Sequence, residues 1–275
     1  MVTKTGVEGK RIVDRALGRN LDYGGILCEI TAAQGMGKTS TLLSLTKHTI
    51  MRHPEEKIFW REQYNAPLQI FKLGPDKYQF MVREGSNVVF RDRNKKLAHV
   101  DVNPVYFKSY KDLYELAKPG VANVVFFGKS IFWMDFITEL REAGEWVNIF
   151  IDEMADVCPS TNSGALYQKM NDFSGTMGAV RRCMMNLFYN TQTVADIDWR
   201  IRKKVMMHIF MPGAIKDKRS RVTQRAIDNL DRSVTIGNEA YVDSGGVFGK
   251  VRFGDIFKPI HGLQIEAHVL PEDDA

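Results

Sequence analysis

The segment that most constrains this chain is the octapeptide Ala-Ala-Gln-Gly-Met-Gly-Lys-Thr at 32–39. Before it lies a compact apolar run bounded by glycines, 24–31, which reads as a buried strand. After it comes helical sequence from 38 to about 52, with Leu42, Leu43, Leu45 and Ile50 at apolar positions. A strand handed to a helix through a glycine-rich turn is the context a phosphate-gripping loop needs. Gly35 and Gly37 let backbone N–H groups turn inward where a Cβ would obstruct the approach. Lys38 places positive charge on the terminal phosphates, Thr39 offers a hydroxyl to Mg²⁺, and the helix start presents its positive end to the anion. Gln34, Gly35, Met36, Gly37, Lys38, Thr39 and Ser40 are therefore the expected nucleotide-binding set, with ATP or GTP and Mg²⁺ as ligands. The usual pattern is G-x-x-x-x-G-K-[ST]. Ala32 stands where its first glycine would, a departure that a small residue tolerates in a tight turn.

Two further strand ends carry polar chemistry. The run Val147-Asn148-Ile149-Phe150-Ile151 ends in Asp152-Glu153. At the carboxyl edge of a sheet Asp152 can hold the Mg²⁺ shell, largely through water, and Glu153 can polarise an attacking water. Two adjacent acids favour hydrolysis over phosphoryl transfer to a small acceptor. A strand at 185–190 runs into Thr191-Gln192, which would set an amide beside the γ-phosphate, bonded to phosphate and water alike.

The remaining pattern is mostly strand alternating with helix, which predicts a mainly parallel sheet covered on both faces. Strands are expected at 57–61, 121–127, 146–151 and 205–211, and helices at 132–143, 164–184 (interrupted near Gly175 and Gly178) and 196–204. Residues 1–22 read as a charged arm or short helix. Four short runs at 68–73, 78–82, 88–92 and 97–102, separated by turn-rich tetrapeptides, predict a β-meander inserted at about 67–102. From 232 to 275 the glycine-punctuated stretch YVDSGGVFGKVRF predicts a hairpin, followed by an acidic tail. The P-loop domain itself is expected over 23–231.

Length and composition fit one large α/β domain: 275 residues, 44% hydrophobic and 26% charged. No apolar run reaches the roughly 20 residues a membrane helix needs, and the N-terminus lacks the apolar core of a signal peptide. Cys28, Cys158 and Cys183 form no metal-ligand spacing and suit a reducing compartment. A cytoplasmic protein is expected. The net charge of +5 is modest, but it gathers in clusters at Arg91/Arg93/Lys95/Lys96, Arg200/Arg202/Lys203/Lys204 and Lys216/Lys218/Arg219/Arg221. These lean towards a polyanionic partner. No base-reading signature accompanies them, so contacts with DNA would be electrostatic and nearly blind to sequence.

With the loop, the strand ending in Asp152-Glu153, the strand ending in Thr191-Gln192 and the segment Ala195-Asp196-Ile197-Asp198-Trp199-Arg200-Ile201-Arg202, the chain resembles the FtsK–HerA superfamily of DNA-pumping ATPases. The resemblance covers about 23–213, less the meander. It implies an α/β P-loop NTPase of the additional-strand type, a mainly parallel sheet sandwiched by helices. It also implies a homo-oligomeric ring, hexameric or pentameric, acting on double-stranded DNA. Arg181 or Arg182, just before the Thr-Gln strand, would reach a nucleotide on a neighbouring subunit, with Arg200 and Arg202 as alternatives. Two branches fit: viral genome-packaging ATPases, with a capsid partner and a place in host cytoplasm or virion, and zonula occludens toxin-like proteins of filamentous phages. The second branch usually carries a membrane span, and none is seen here, which favours packaging. An assembly or secretion ATPase acting on a filament or protein, and a nucleotide-binding switch with negligible turnover, remain alternatives.

Overall fold

The computed structural model describes residues 4–19, 24–63, 66–92, 94–100, 102–161, 163–216, 218–230, 238–253 and 265–270. Helix α1 (Lys4–Ala16) precedes strand β1 (Leu27–Thr31), the phosphate-loop turn and helix α2 (Lys38–Arg52). Then come β2 (Lys57–Arg61), β3 (Tyr78–Arg83), β4 (Asn87–Arg91), β5 (Val105–Phe107), α3 (Tyr110–Leu116) and β6 (Ala122–Phe126). The middle of the chain supplies α4 (Phe132–Glu139), β7 (Val147–Ile151), α5 (Gly164–Ala179), β8 (Met185–Thr191), α6 (Trp199–Arg202) and β9 (Met207–Phe210). Helix α7 (Gln224–Asp228), β10 (Asn238–Ser244), β11 (Val247–Phe253) and β12 (Glu266–Leu270) complete the described chain.

Ten strands form one sheet in the order β11-β10-β9-β1-β8-β7-β2-β6-β3-β5. From β9 to β5 every pairing is parallel, and β10 and β11 add antiparallel at one edge. Strand β8 lies between the loop-bearing β1 and the acid-bearing β7, so it is the additional strand of this fold. The central strands β1, β6, β7 and β8 are buried along their whole length, because helices cover both faces. Side-chain alternation sorts them cleanly. Ile30, Trp60, Phe150 and Phe188 face a core shared with α2, while Phe59, Ile149, Ile151, Leu187 and Tyr189 face one shared with α4 and α5. Each such side chain contributes about 1.5–3 kcal/mol of burial.

The expected meander at 67–102 is not what forms. Of its four runs, 78–82 is β3, which joins the main sheet parallel to β6 and to a short strand the pattern did not suggest, β5. The run 88–92 is β4, which pairs with β12 in a separate two-stranded ribbon. The run 68–73 is a 3₁₀ turn (Ile70–Leu73), because the Gln69 and Ile70 N–H groups are captured by the Glu62 carboxylate. Among its described residues the run 97–102 holds no strand; a bridge from Leu97 to Arg91 and the Ala98 N–H to Phe90 carbonyl bond tie it to the ribbon.

Helix α5 passes through Gly175 without a break, since nothing there demands a positive φ, and ends at Ala179 rather than near 184. Helices α4 and α6 are likewise shorter than expected, flanked by 3₁₀ turns. The terminal hairpin is present. Gly245 and Gly246 turn it at φ 60° and 85°, the left-handed pair that a tight two-residue hairpin needs. It extends the main sheet through β9, and α1 lies so close against it that a Cβ on Gly9 would meet the Lys250 carbonyl oxygen at 2.4 Å. The acidic tail at 271–275 lies outside the described residues.

Candidate nucleotide site

Strand β1 delivers the loop at the carboxyl edge of the sheet. Gly35 (φ 75°) and Gly37 (φ 80°) adopt left-handed conformations, and Gly37 opens α2 with no side-chain cap. The Met36 N–H donates to the Ala33 carbonyl and the Thr41 N–H to that of Gly37. Ala32 is fully buried in the core, so its methyl group is packed there rather than facing the cavity. That accounts for an alanine at the pattern's first glycine. Lys38 reaches back to the carbonyls of Ala32 and Ala33, 3.3 Å from each. Burial pulls its pKa down, and Glu153 and Asp152 oppose the shift.

Strand β7 leads directly into Asp152, whose Oδ1 accepts from the Thr39 hydroxyl at 2.9 Å and from the Asn190 amide. Asn190 also accepts the Glu153 N–H at 2.8 Å, so one side chain on β8 fixes both acids. Glu153 sits at φ 61°, a conformation costly for a residue with a Cβ. Arg61, fully buried at the end of β2, holds the turn that contains it. It donates to the carbonyl oxygens of Asp152 and Glu153, to Ser130 Oγ at 3.2 Å and to Asp156 Oδ2 at 2.9 Å. Burial raises the pKa of Asp152, opposed first by the hydrogen bonds from Asn190 and Thr39. Burial likewise raises Glu153, opposed by a hydrogen bond from Thr191.

These groups surround a cavity of about 340 Å³. Gln34, Gly35, Gly37, Lys38, Thr39, Ser40, Asp152, Glu153 and Gln192 all line it. Met36, expected among them, packs against the core instead. Thr39 and Asp152 supply a hydroxyl and a carboxylate oxygen at one point, the hard oxygen donors that Mg²⁺ takes. The cavity also has walls that sequence reasoning missed: Glu62, Gln63, Gln69 and Asn190. Glu62 was the most readable of these, an acid directly after an apolar strand in the same way as Asp152.

Arg181 and Arg182 do not reach the cavity. Both are exposed at the far end of β8 from Gln192, a strand of seven residues and so roughly 20 Å long. Arg181 lines a separate cavity of about 910 Å³ together with Arg11, Arg15 and Arg219. Arg200 is buried in a two-bonded pair with Asp198 (2.9 and 2.7 Å) and also donates to Asn171. That ties it to its own chain, and the adjacent Arg202 carbonyl accepts from Arg219.

No protein-family model matches this chain, and no curated protein matches it. Solved structures do. The genome packaging NTPase B204 from Sulfolobus turreted icosahedral virus 2 in complex with ATP-gammaS aligns at TM-score 0.52 and 9% identity, over 85% of this chain and 98% of that one. The same protein with AMPPCP gives 0.53 and 9%, over 82% and 97%. The N-terminal domain of zonular occludens toxin from Neisseria meningitidis is a looser likeness, at 0.37 and 16% over 90% and 95%. At such identities it is the architecture that is shared. The chain has the α/β fold of P-loop NTPases, with β8 as the strand inserted between the loop and the paired acids.

Proposed function

We propose that this chain hydrolyses ATP and uses turnover to move double-stranded DNA, as a packaging motor loading a viral genome into a capsid. The observation that carries the reading is the convergence at one cavity of Lys38, Thr39 bonded to Asp152, and Glu153 held by Asn190 and Arg61. Thr39, and Asp152 largely through water, would hold Mg²⁺, which supplies charge to neutralise the phosphates. Lys38 and the loop amides grip the phosphate chain. Glu153, next to the γ-phosphate position, orients a water and takes its proton. Gln192, directly after the strand between loop and acids, bonds phosphate or water and senses which nucleotide is present. In fold, the chain is like a protein described as a genome packaging NTPase and solved in complex with ATP-gammaS, which supports ATP as the nucleotide and a genome as the cargo.

The reading includes a ring, hexameric or pentameric, in which Arg181 or Arg182 acts across the subunit boundary. At the far end of β8 neither serves its own cavity, so a role at a γ-phosphate requires a neighbouring subunit. Among the described residues no helix is long and apolar enough to cross a membrane. The test is the ATPase rate with and without duplex DNA over a range of salt, alongside sizing in ATP and in ADP. DNA-stimulated turnover and nucleotide-dependent assembly are expected. Turnover indifferent to DNA, with nucleotide-dependent binding to a coat protein, would replace the motor with an assembly ATPase. Turnover no faster than that of Lys38→Ala would reduce it to a switch.

A further inference from the structure

The cavity contains a second buried carboxylate that hydrolysis leaves unused. Glu62 follows β2 directly, is 2% exposed and forms part of the cavity wall. Its Oε2 accepts from Trp60 Nε1 at 2.5 Å, and its Oε1 accepts from the backbone N–H groups of Gln69 and, at 3.1 Å, Ile70. A buried carboxylate is costly unless its lone pairs are filled. Here two of the three donors are main-chain amides of another segment, so Glu62 and the turn at 69–70 are held as one unit.

That turn is itself fastened to the ribbon. The Leu68 N–H donates to the Ile265 carbonyl at 2.7 Å, and Pro67 bridges Glu266, the first residue of β12. Strand β12 pairs with β4 from Glu266↔Arg91 to Leu270↔Asn87. The far turn carries Arg91, Lys95 and Lys96, with Lys95 Nζ 2.6 Å from Glu266 Oε2. Phe90 of β4 stacks on Phe80 of β3 at 5.6 Å, anchoring the ribbon to the main sheet. A continuous series of hydrogen bonds therefore leads from the cavity wall to an exposed basic turn.

We propose that Glu62 is a positioning residue that couples occupancy of the nucleotide cavity to the β4–β12 ribbon and the turn that carries Arg91, Lys95 and Lys96. This rests on the ATP-site reading. The physical cause is local. Phosphates entering the cavity change the field at Glu62, and whether the carboxyl group then shifts or takes up a proton, its bonds to the Gln69 and Ile70 amides change with it. Those amides lie next to the Leu68–Ile265 bond that fastens β12, so the change is passed to the ribbon rather than absorbed in a free loop.

Amide hydrogen exchange on the full chain, with and without a saturating non-hydrolysable ATP analogue and Mg²⁺, tests it. In the wild type, amides at 35–40, 68–70, 87–91 and 266–270 should all change their exchange rates several-fold on adding nucleotide. In Glu62→Gln the response at 35–40 should persist while those at 68–70 and in the ribbon are lost, and a general loosening of the fold would not produce that pattern. A ribbon response of undiminished size in Glu62→Gln overturns the coupling. So does a silent ribbon in the wild type while 35–40 responds, a result that needs no variant to fold. Silence at 35–40 in the wild type defeats the nucleotide-site reading itself, and the coupling with it.

Discussion

The two edges of the same parallel strands treat buried polar groups in opposite ways. At the amino edge, Asn186 donates to Asn148 at 3.0 Å, Asn148 donates to Glu56 at 2.6 Å, and Arg19 closes the set by pairing with Glu56 and bonding Asn148. Every charge there has its opposite, and the result is a clasp. At the carboxyl edge, three acids, Asp152, Glu153 and Glu62, crowd one open cavity with Lys38, and burial raises the pKa of all three. A satisfied network fixes register and packing. An edge where ionised groups are held at a cost, facing a cavity, is where a multiply charged ligand with its metal ion would lower the energy.

Glu153→Gln should have the largest effect on the carboxyl edge. It removes the proton acceptor and keeps the shape, so turnover should fall by about 10²–10⁴-fold while nucleotide binding, followed by titration, persists. Arg61→Ala comes next. It strips the clamp from two carbonyls and Asp156, a partner that is itself 42% exposed and so contributes less. The expected loss is about 3 kcal/mol in denaturant unfolding, together with slowed turnover as Glu153 leaves its φ 61° conformation.

Asn148 and Asn190 are a matched pair of buried amides, one at each edge. Asn148→Ala at the amino edge should cost about 1–3 kcal/mol of stability and leave turnover per folded molecule unchanged. Asn190→Ala at the carboxyl edge should cost a similar amount and impair turnover, because it frees both Asp152 and the Glu153 N–H. Steady-state rates normalised to the folded fraction separate the two.

A further effect concerns pH. Burial first, and then the nearby Asp152, push Glu62 from the usual 4.5 up to about 7. A raised folded-state pKa means that the protonated form favours the fold. That contribution is full below about 4.5 and is lost as pH rises through about 7. Relative to Glu62→Gln, the wild type should therefore lose stability across this window, read as unfolding midpoints at several pH values. The difference between wild type and Asn148→Ala should not follow that curve.

What could be read from the sequence follows from how local each signal is. Strands β1, β7 and β8 are apolar runs that end in polar residues, and the loop carries its own glycines, so the heart of the site was visible. Strand β5 is only three residues long and declares itself only through its partner β3. Helix α3 did carry a signal that went unread: Ser109 caps it, accepting from the Asp112 N–H at 3.1 Å. The run at 68–73 is as apolar as a strand, yet its amides go to a carboxylate outside the run. Arg61 looks like any strand-end arginine, since its partners at 130, 152, 153 and 156 are distant in sequence. Contacts of that kind are set by topology, and periodicity does not reveal them.

We propose the carboxyl edge as a hydrolytic ATP site that drives movement on DNA, and steady-state ATP hydrolysis by the wild type and by Glu153→Gln, each with and without duplex DNA, tests this. Wild-type turnover should rise with duplex DNA and fall back as salt is added, and the Glu153→Gln protein should bind nucleotide but turn over under neither condition. Equal turnover in the two proteins would contradict it.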